Sequence, residues 1–211
     1  MSLYQKLISP TTQAALDMLA LENDATGTTP DDDMDVLAAL VVTSRAKRIL
    51  QFGTFLGGSA LVLADLAAQN GGTAQLVTLD TNPAMNASCR KYAELAGLDI
   101  IVTMDGSSTD PRLLAELGKS DWDLIFLDTT HQYEQTVAEI KAIVPLCGPG
   151  TLFCFHDASS AAAAELDLQH LGGVKRAIRE YCLNHPQWQW FVFEEPKWGH
   201  FGIAVMQKKV P

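Results

Sequence analysis

Nowhere does this chain run through about 18 consecutive apolar residues, the length a membrane-spanning helix needs. Its first stretch, Met1 to Asp17, holds a lone Lys6 and no apolar run of signal-peptide length. Those absences speak against a spanning helix and a secretory leader, so a soluble, cytoplasmic protein is expected. Cysteine is sparse as well: Cys89, Cys147, Cys154 and Cys182 are widely spaced with no C-x-x-C pair, which argues against a zinc cluster and for reduced thiols in the core. Basic residues are few, 15 Lys and Arg against 25 Asp and Glu for a formal charge of −10. They are scattered, and nucleic-acid binding needs them clustered. A small-molecule partner is the simpler expectation. Also missing is the dinucleotide fingerprint G-x-G-x-x-G, because Gly53 is followed by Thr54 and the next glycines are Gly57 and Gly58. A nicotinamide oxidoreductase would lack its phosphate loop here.

What is present reads as one globular domain of 211 residues, 47% hydrophobic. Short β-like apolar runs alternate with helix-length amphipathic stretches from Arg48 to about Cys182, the pattern of β-α-β units and a mostly parallel sheet. Strands are expected at 48–52, 75–79, 100–104, 124–127 and 151–155. Helices are expected near 59–68, 83–96, 111–117 and 132–146, with a further one marked by Val174, Ala177, Ile178, Tyr181 and Cys182. Ahead of the first strand, Thr29-Pro30-Asp31-Asp32-Asp33 combines turn and acidic first-turn signals for a helix carrying Met34, Leu37 and Val41. Two β-rich runs at the end, 188–193 and 202–207, are joined by a link too short for a crossover helix, so they should pair antiparallel.

The residues with chemistry gather at expected strand ends. Ile49 to Leu61 takes a buried strand through glycine-marked turns into a helix, presenting backbone N–H groups and a helix N-terminus to a polar ligand. In that loop Thr54 and Ser59 each offer a hydroxyl to a ligand, and Ser59 is equally suited to cap the helix. Asp80 ends the second strand, where a carboxylate accepts hydrogen bonds from both ribose hydroxyls or, alternatively, caps the turn at Asn82-Pro83. Asp128 and His131 follow the fourth strand, and His156 and Asp157 end the fifth, at the edge where ligands of open α/β sheets collect. His131 is alternatively a helix-cap residue beside Tyr133, and His156 a buried partner of its neighbours. Nothing ties His170, His185 or His200 to a site.

The first loop resembles motif I of the class I S-adenosylmethionine (SAM) methyltransferases, acidic-x-G-x-x-x-G. In its G-T-F-x-G-x-S detail, Gly53 to Ser59, it is similar to the catechol and caffeoyl-CoA type O-methyltransferases. Gln51 stands where that family usually has an acidic residue. Asp128-x-x-His131-x-Tyr133 looks like the family's D-x-x-[K/H]-x-Y element, and His156-Asp157 matches the second site of the sugar and macrolide O-methyltransferase branch rather than the commoner Asp-Asn. The resemblance covers roughly residues 29–207. It implies a Rossmann-like three-layer α/β/α sandwich whose mostly parallel seven-stranded sheet ends in an antiparallel hairpin. It also implies a methyltransferase domain at 29–211 behind an N-terminal helical segment at 1–28.

For the site, the resemblance implies SAM held by Gln51, Gly53, Thr54, Gly57, Ser59, Asp80, the loop Asp105-Gly106-Ser107 beside the adenine, and Asp128. It further implies a divalent metal (Mg²⁺ or Mn²⁺) at Asp128, His156 and Asp157, with His131 as the base that takes the acceptor's proton. A homodimer acting on a small-molecule hydroxyl is the corresponding expectation. The opposing reading is a SAM- or nucleotide-binding regulatory module that kept the cradle and lost catalysis, suggested by Gln51.

Overall fold

The structure is a computed structural model that describes residues 1–23, 29–159, 173–194 and 202–209. Its strands form a seven-stranded sheet, mostly parallel with an antiparallel hairpin at the C-terminal end; the β-α-β alternation predicted the parallel strands, the short link the hairpin, and the resemblance the full sheet. The chain divides into two compact units, Met1–Ser107 and Ser108–Pro211.

The first unit contains α1 (Leu3–Leu7), α2 (Pro10–Asn23), α3 (Asp31–Ser44), β1 (Arg48–Phe52), α4 (Gly58–Gln69), β2 (Gln75–Asp80), α5 (Pro83–Ala96) and β3 (Ile101–Asp105). β2 lies between β1 and β3 with every pairing parallel, Phe52 opposite Leu79 and Asp80 opposite Asp105. The three strands therefore end side by side. α4 is apolar on every side except at Asp65, which accepts the Ser9 N–H at 2.6 Å, and Ala60 through Ala67 are buried without a break, which is what a helix enclosed by its neighbours requires. It packs on α2, α3, α5, β1 and β2. Each fully buried leucine there, Leu61, Leu63 and Leu66, contributes about 1.5–3 kcal/mol over an exposed one. Three acidic residues in the first turn of α3, Asp31, Asp32 and Asp33, complement the positive end of that helix. Asp35 in the next turn accepts the Leu3 and Tyr4 N–H groups at 2.8 and 2.7 Å, fastening α1 to α3.

The second unit contains α6 (Pro111–Leu117), β4 (Leu124–Leu127), α7 (Tyr133–Ile143), a 3₁₀ turn (Val144–Leu146), β5 (Leu152–Phe155), α8 (Gly173–Asn184), β6 (Trp188–Phe193) and β7 (Ile203–Lys208). β4 and β5 run parallel, so Leu127 sits opposite Phe155 and the residues after each strand emerge together. β7 pairs antiparallel with both β5 and β6, the expected hairpin, although its connection at 195–201 lies outside the described residues. The helix expected at 132–146 stops at Ile143, because Pro145 has no N–H for an α-helical bond and disfavours helical backbone before it. β3 starts one residue later than the sequence suggested, and β7 is shifted by one.

Candidate active site

In the first unit the turn between β1 and α4 is built from backbone conformations that side chains disfavour. Gly53 and Gly57 have φ of 88° and 98°, and Phe55 between them has 46°. Gly57 also leaves no room: a Cβ there would lie 2.8 Å from both Cα and Cβ of Cys89. Cys89 is fully buried, and burial pushes its thiol up to about 12, so it packs as an apolar group, in keeping with the reduced core thiols expected. Gly57 is the N-cap of α4. Ser59 is thus not the cap the sequence offered as one of its two roles; it sits inside the first turn and accepts a hydrogen bond from Gln51 Nε2 at 2.9 Å.

Gln51, 0% exposed, also donates Nε2 to the Gly53 carbonyl at 2.8 Å. Both amide hydrogens are then used, and Oε1 is buried without a hydrogen-bond partner. A buried unpaired acceptor costs on the order of 1–3 kcal/mol, which a donor on a ligand would relieve. The Thr54 hydroxyl is spent inside the protein, 2.7 Å from the Thr78 hydroxyl. Its contribution to the loop is its N–H, which joins that of Phe55 on Asp80 Oδ2, both at 3.0 Å.

Asp80 Oδ1 meanwhile accepts the Asn82 N–H at 2.8 Å. The structure therefore realises the turn-capping alternative and, in addition, ties Asp80 to the β1 loop. Gly106, at φ 155°, donates its N–H to the Asp80 carbonyl at 2.9 Å, bringing the 105–107 loop to the end of β2. Asn86, which the sequence reading passed over, holds these tips: its Nδ2 donates to Asp105 Oδ1 at 2.7 Å and to the Met104 carbonyl at 2.8 Å. Its Oδ1 is buried and unpaired. An asparagine at the end of the first turn of a helix, past the capping position where it is favoured, was the available signal.

The second unit assembles the other group. A nitrogen or oxygen from each of Asp128, His131 and His156 lies within 4.8 Å of the others, and Asp157 adjoins them. His131 Nε2 is 3.1 Å from Asp128 Oδ1 and its Nδ1 is 2.5 Å from Asp157 Oδ2. His156 Nδ1 stands 3.2 Å from Asp128 Oδ1 and 3.5 Å from Asp157 Oδ1, and its ring meets that of Phe126 edge to face. His131 and Asp157 are both left-handed, at φ 58° and 55°; non-glycine residues persist there only where the surroundings hold them, a feature concentrated at functional sites.

Tyr133 follows His131 with its hydroxyl on Glu180 and its ring under Arg176 at 4.3 Å. Gly173 at the start of α8 presses on the same turn: a Cβ there would be 2.4 Å from Tyr133 N and 2.9 Å from the His131 carbonyl oxygen. His131 is thus a strand-end residue enclosed by two carboxylates, not a surface helix cap.

That enclosure sets the charges. Burial works against the His131 imidazolium, but the hydrogen bonds to Asp128 and Asp157 outweigh it and raise the pKa from 6.5 to about 9. Burial likewise disfavours the Asp128 carboxylate, yet His156 and His131 together hold it far below the usual carboxylate range. An imidazole at its ordinary pKa of about 6.5 is a base near neutrality, whereas His131 is mostly protonated there in this arrangement. A folded pKa above the unfolded value gives stabilisation that is complete below about 6.5 and disappears as pH rises through about 9. Metal-free protein is expected to lose about 2 kcal/mol, or roughly 4–8 °C in Tm, between pH 6.5 and 9.5. Differential scanning calorimetry in chelator reads this, and a flat Tm across that window contradicts the charged cluster.

These features define a Rossmann-like α/β protein with a glycine-turn loop after its first strand and an Asp/His cluster after its fourth and fifth. The chain belongs to the family described as methyltransferase domain, whose profile matches residues 50–158, just over half of it. The rhamnosyl O-methyltransferases of Mycobacterium tuberculosis and Mycobacterium bovis are 26% identical over 117 residues, 53% of this chain and 45% of theirs. The chain thus spans less than half the length of these curated relatives. Among solved structures, an O-methyltransferase from Bacillus cereus in complex with SAH matches at TM-score 0.78 and 20% identity, covering 95% of this chain and 91% of that one. The O-methyltransferase TomG of Streptomyces achromogenes, involved in tomaymycin synthesis and in complex with SAM, matches at 0.74 and 20% identity over 96% and 91%. These likenesses show the fold. No helix among the described residues is long and apolar enough to cross a membrane.

Proposed function

We propose that this protein is a SAM-dependent O-methyltransferase that acts on a hydroxyl of a small molecule with the help of a divalent cation and of His131. The observation that carries the reading is the convergence of Asp128, His131, His156 and Asp157 in a chain of a methyltransferase family. The curated relatives are named O-methyltransferases, and the Bacillus cereus and TomG neighbours carry SAH and SAM. Nothing observed favours the catalytically silent module.

Cofactor binding is assigned to the first unit. The unpaired Gln51 Oε1 fits an ammonium donor, as the methionyl end of SAM provides, although without the full charge of a carboxylate. Asp80, with three N–H donors already on it, keeps lone-pair capacity for a ribose hydroxyl. Ser59, Gly53, Thr54 and Gly57 shape the loop, and Asp105, Gly106 and Ser107 border the adenine in this reading. Asp128, also counted among the SAM contacts by resemblance, is placed here with the cation.

The donor set of the second unit fits a cation: two carboxylates, two imidazoles, and a buried Asp157 Oδ1 that carries no hydrogen bond. Asp128, Asp157 and His156 would hold it, and the imidazole favours Mn²⁺, Fe²⁺ or Zn²⁺ over Mg²⁺. When bound, the cation lowers the acceptor hydroxyl's pKa and fixes its oxygen. Methyl transfer from a sulfonium is an in-line displacement that asks mainly for positioning. His131 takes the acceptor's proton once it has released its own, and Asp128 and Asp157 orient its ring.

A homodimer, cytoplasmic residence and a methyltransferase domain beginning near residue 29 complete the proposal. The test is methyl transfer from labelled SAM to a panel of catechols, CoA esters and sugars. Turnover is expected to vanish on chelation and return with Mn²⁺. Undiminished turnover in chelator removes the cation from the reading, and SAM binding without transfer to any acceptor would favour the silent module.

A further inference from the structure

Behind the Asp128 to His131 turn stands a carboxylate that the chemistry above leaves unused. Glu139 on α7 is 0% exposed, and among the described residues it is bound by neutral donors rather than by a cation. The Ser108 hydroxyl and Gln135 Nε2, the latter at 3.1 Å, donate to Oε1, while the Thr129 hydroxyl lies 2.9 Å from Oε1 and 3.1 Å from Oε2. Burying a carboxylate is expensive unless its lone pairs are filled, and a leucine on this helix face, beside Ile140 and Ile143, would avoid that cost. Here the buried Glu139 side chain instead accepts from Thr129, the residue directly after Asp128 and two before His131. That turn must hold His131 in left-handed backbone, and it is clasped from one side by Glu139 and pressed by Gly173 at its Tyr133 end.

We propose that Glu139 is a positioning residue: through the Thr129 hydroxyl it fixes the β4–α7 turn so that both imidazole nitrogens of His131 stay on Asp128 and Asp157. Its bearing on methyl transfer rests on the function proposed above, whereas the geometry it governs does not.

The test is ¹⁵N-resolved NMR of the His131 ring in the chelated full-length protein, beside calorimetric SAM binding. In wild type the ring N–H protons bonded to carboxylates are expected to resonate far downfield and to exchange slowly with water. In Glu139→Ala those signals are expected to disappear or to exchange at least tenfold faster, with the SAM heat unchanged. Glu139→Gln, whose amide oxygen still accepts from Ser108, Thr129 and Gln135, is expected to recover them. Thr129→Val removes a single hydroxyl, keeps the carboxylate, and decides the matter if Glu139→Ala does not fold; it should reproduce the loss, and Thr129→Ser should not. Unchanged His131 signals in Thr129→Val overturn the proposal, as does a Gln variant no better than Ala. Displaced signals in a protein that methylates nothing leave the positioning role standing and overturn only the assigned reaction.

Discussion

His131→Ala is expected to lower turnover by about 100- to 10,000-fold, the usual worth of a positioned acid or base, with SAM affinity unchanged. The size follows from the absence of a substitute: Asp128 and Asp157 are the groups that orient His131, and neither of them, if engaged with a cation, is available to take a proton. The affinity is spared because the proposed SAM contacts other than Asp128 all lie in the first unit, on Gln51 to Ser59, Asp80 and the 105–107 loop. A pH profile sharpens the test. Because His131 has to be unprotonated to take a proton, wild-type turnover should climb with pH as the ring loses its own, and the residual activity of the variant should lack that climb. Parent-like turnover in the variant, measured with labelled SAM, takes His131 out of catalysis.

The second large effect is expected at Gly57→Ala. Two costs coincide there. At φ 98° an alanine adopts the left-handed region at about 1–2 kcal/mol, and its Cβ lands 2.8 Å from the buried Cys89 Cα and Cβ, an overpacking worth about 1–3 kcal/mol more. A Tm fall of roughly 5–15 °C follows for a chain of this size, with weakened SAM binding, since the same turn carries Gly53, Thr54 and Ser59. Gly97→Ala isolates the first cost: its φ is 70°, but its Cβ would meet nothing within 4 Å. If thermal melts put the two variants level, the Cys89 contact is not what reserves position 57 for glycine.

The parts of this molecule written in local pattern were readable before any coordinates. β1, β4 and β6 carry the boundaries read from their apolar runs, and α5 and α6 begin where Asn82-Pro83 and Asp110-Pro111 signal a cap followed by a proline. Capping chemistry acts over two or three residues, so sequence reveals it directly. The hairpin was readable because a short link forbids a crossover. Partners far apart along the chain were not. Thr78 meets Thr54 from 24 positions away, Asn86 meets Asp105 from 19, and Glu139 meets Ser108 from 31, and no periodicity records such pairings.

The state of His131 was hidden for the same reason. An ordinary imidazole is a base near neutrality, but Asp157 arrives from the end of β5 and, with Asp128, raises the His131 pKa to about 9. Even the role of Ser59 depended on a backbone angle at Gly57 that composition alone does not give.

Asp80 collects N–H groups from two turns at once, Thr54 and Phe55 on one oxygen and Asn82 on the other. A single carboxylate therefore does both the folding work of a clasp and the proposed recognition of a sugar. Substitutions there that alter how the ribose is held will also loosen the loop beside it. Adaptation to a different cofactor in this lineage would accordingly have to begin elsewhere, and Asp105, bound by one amide and exposed, is the freer place for selection or for a protein engineer to start.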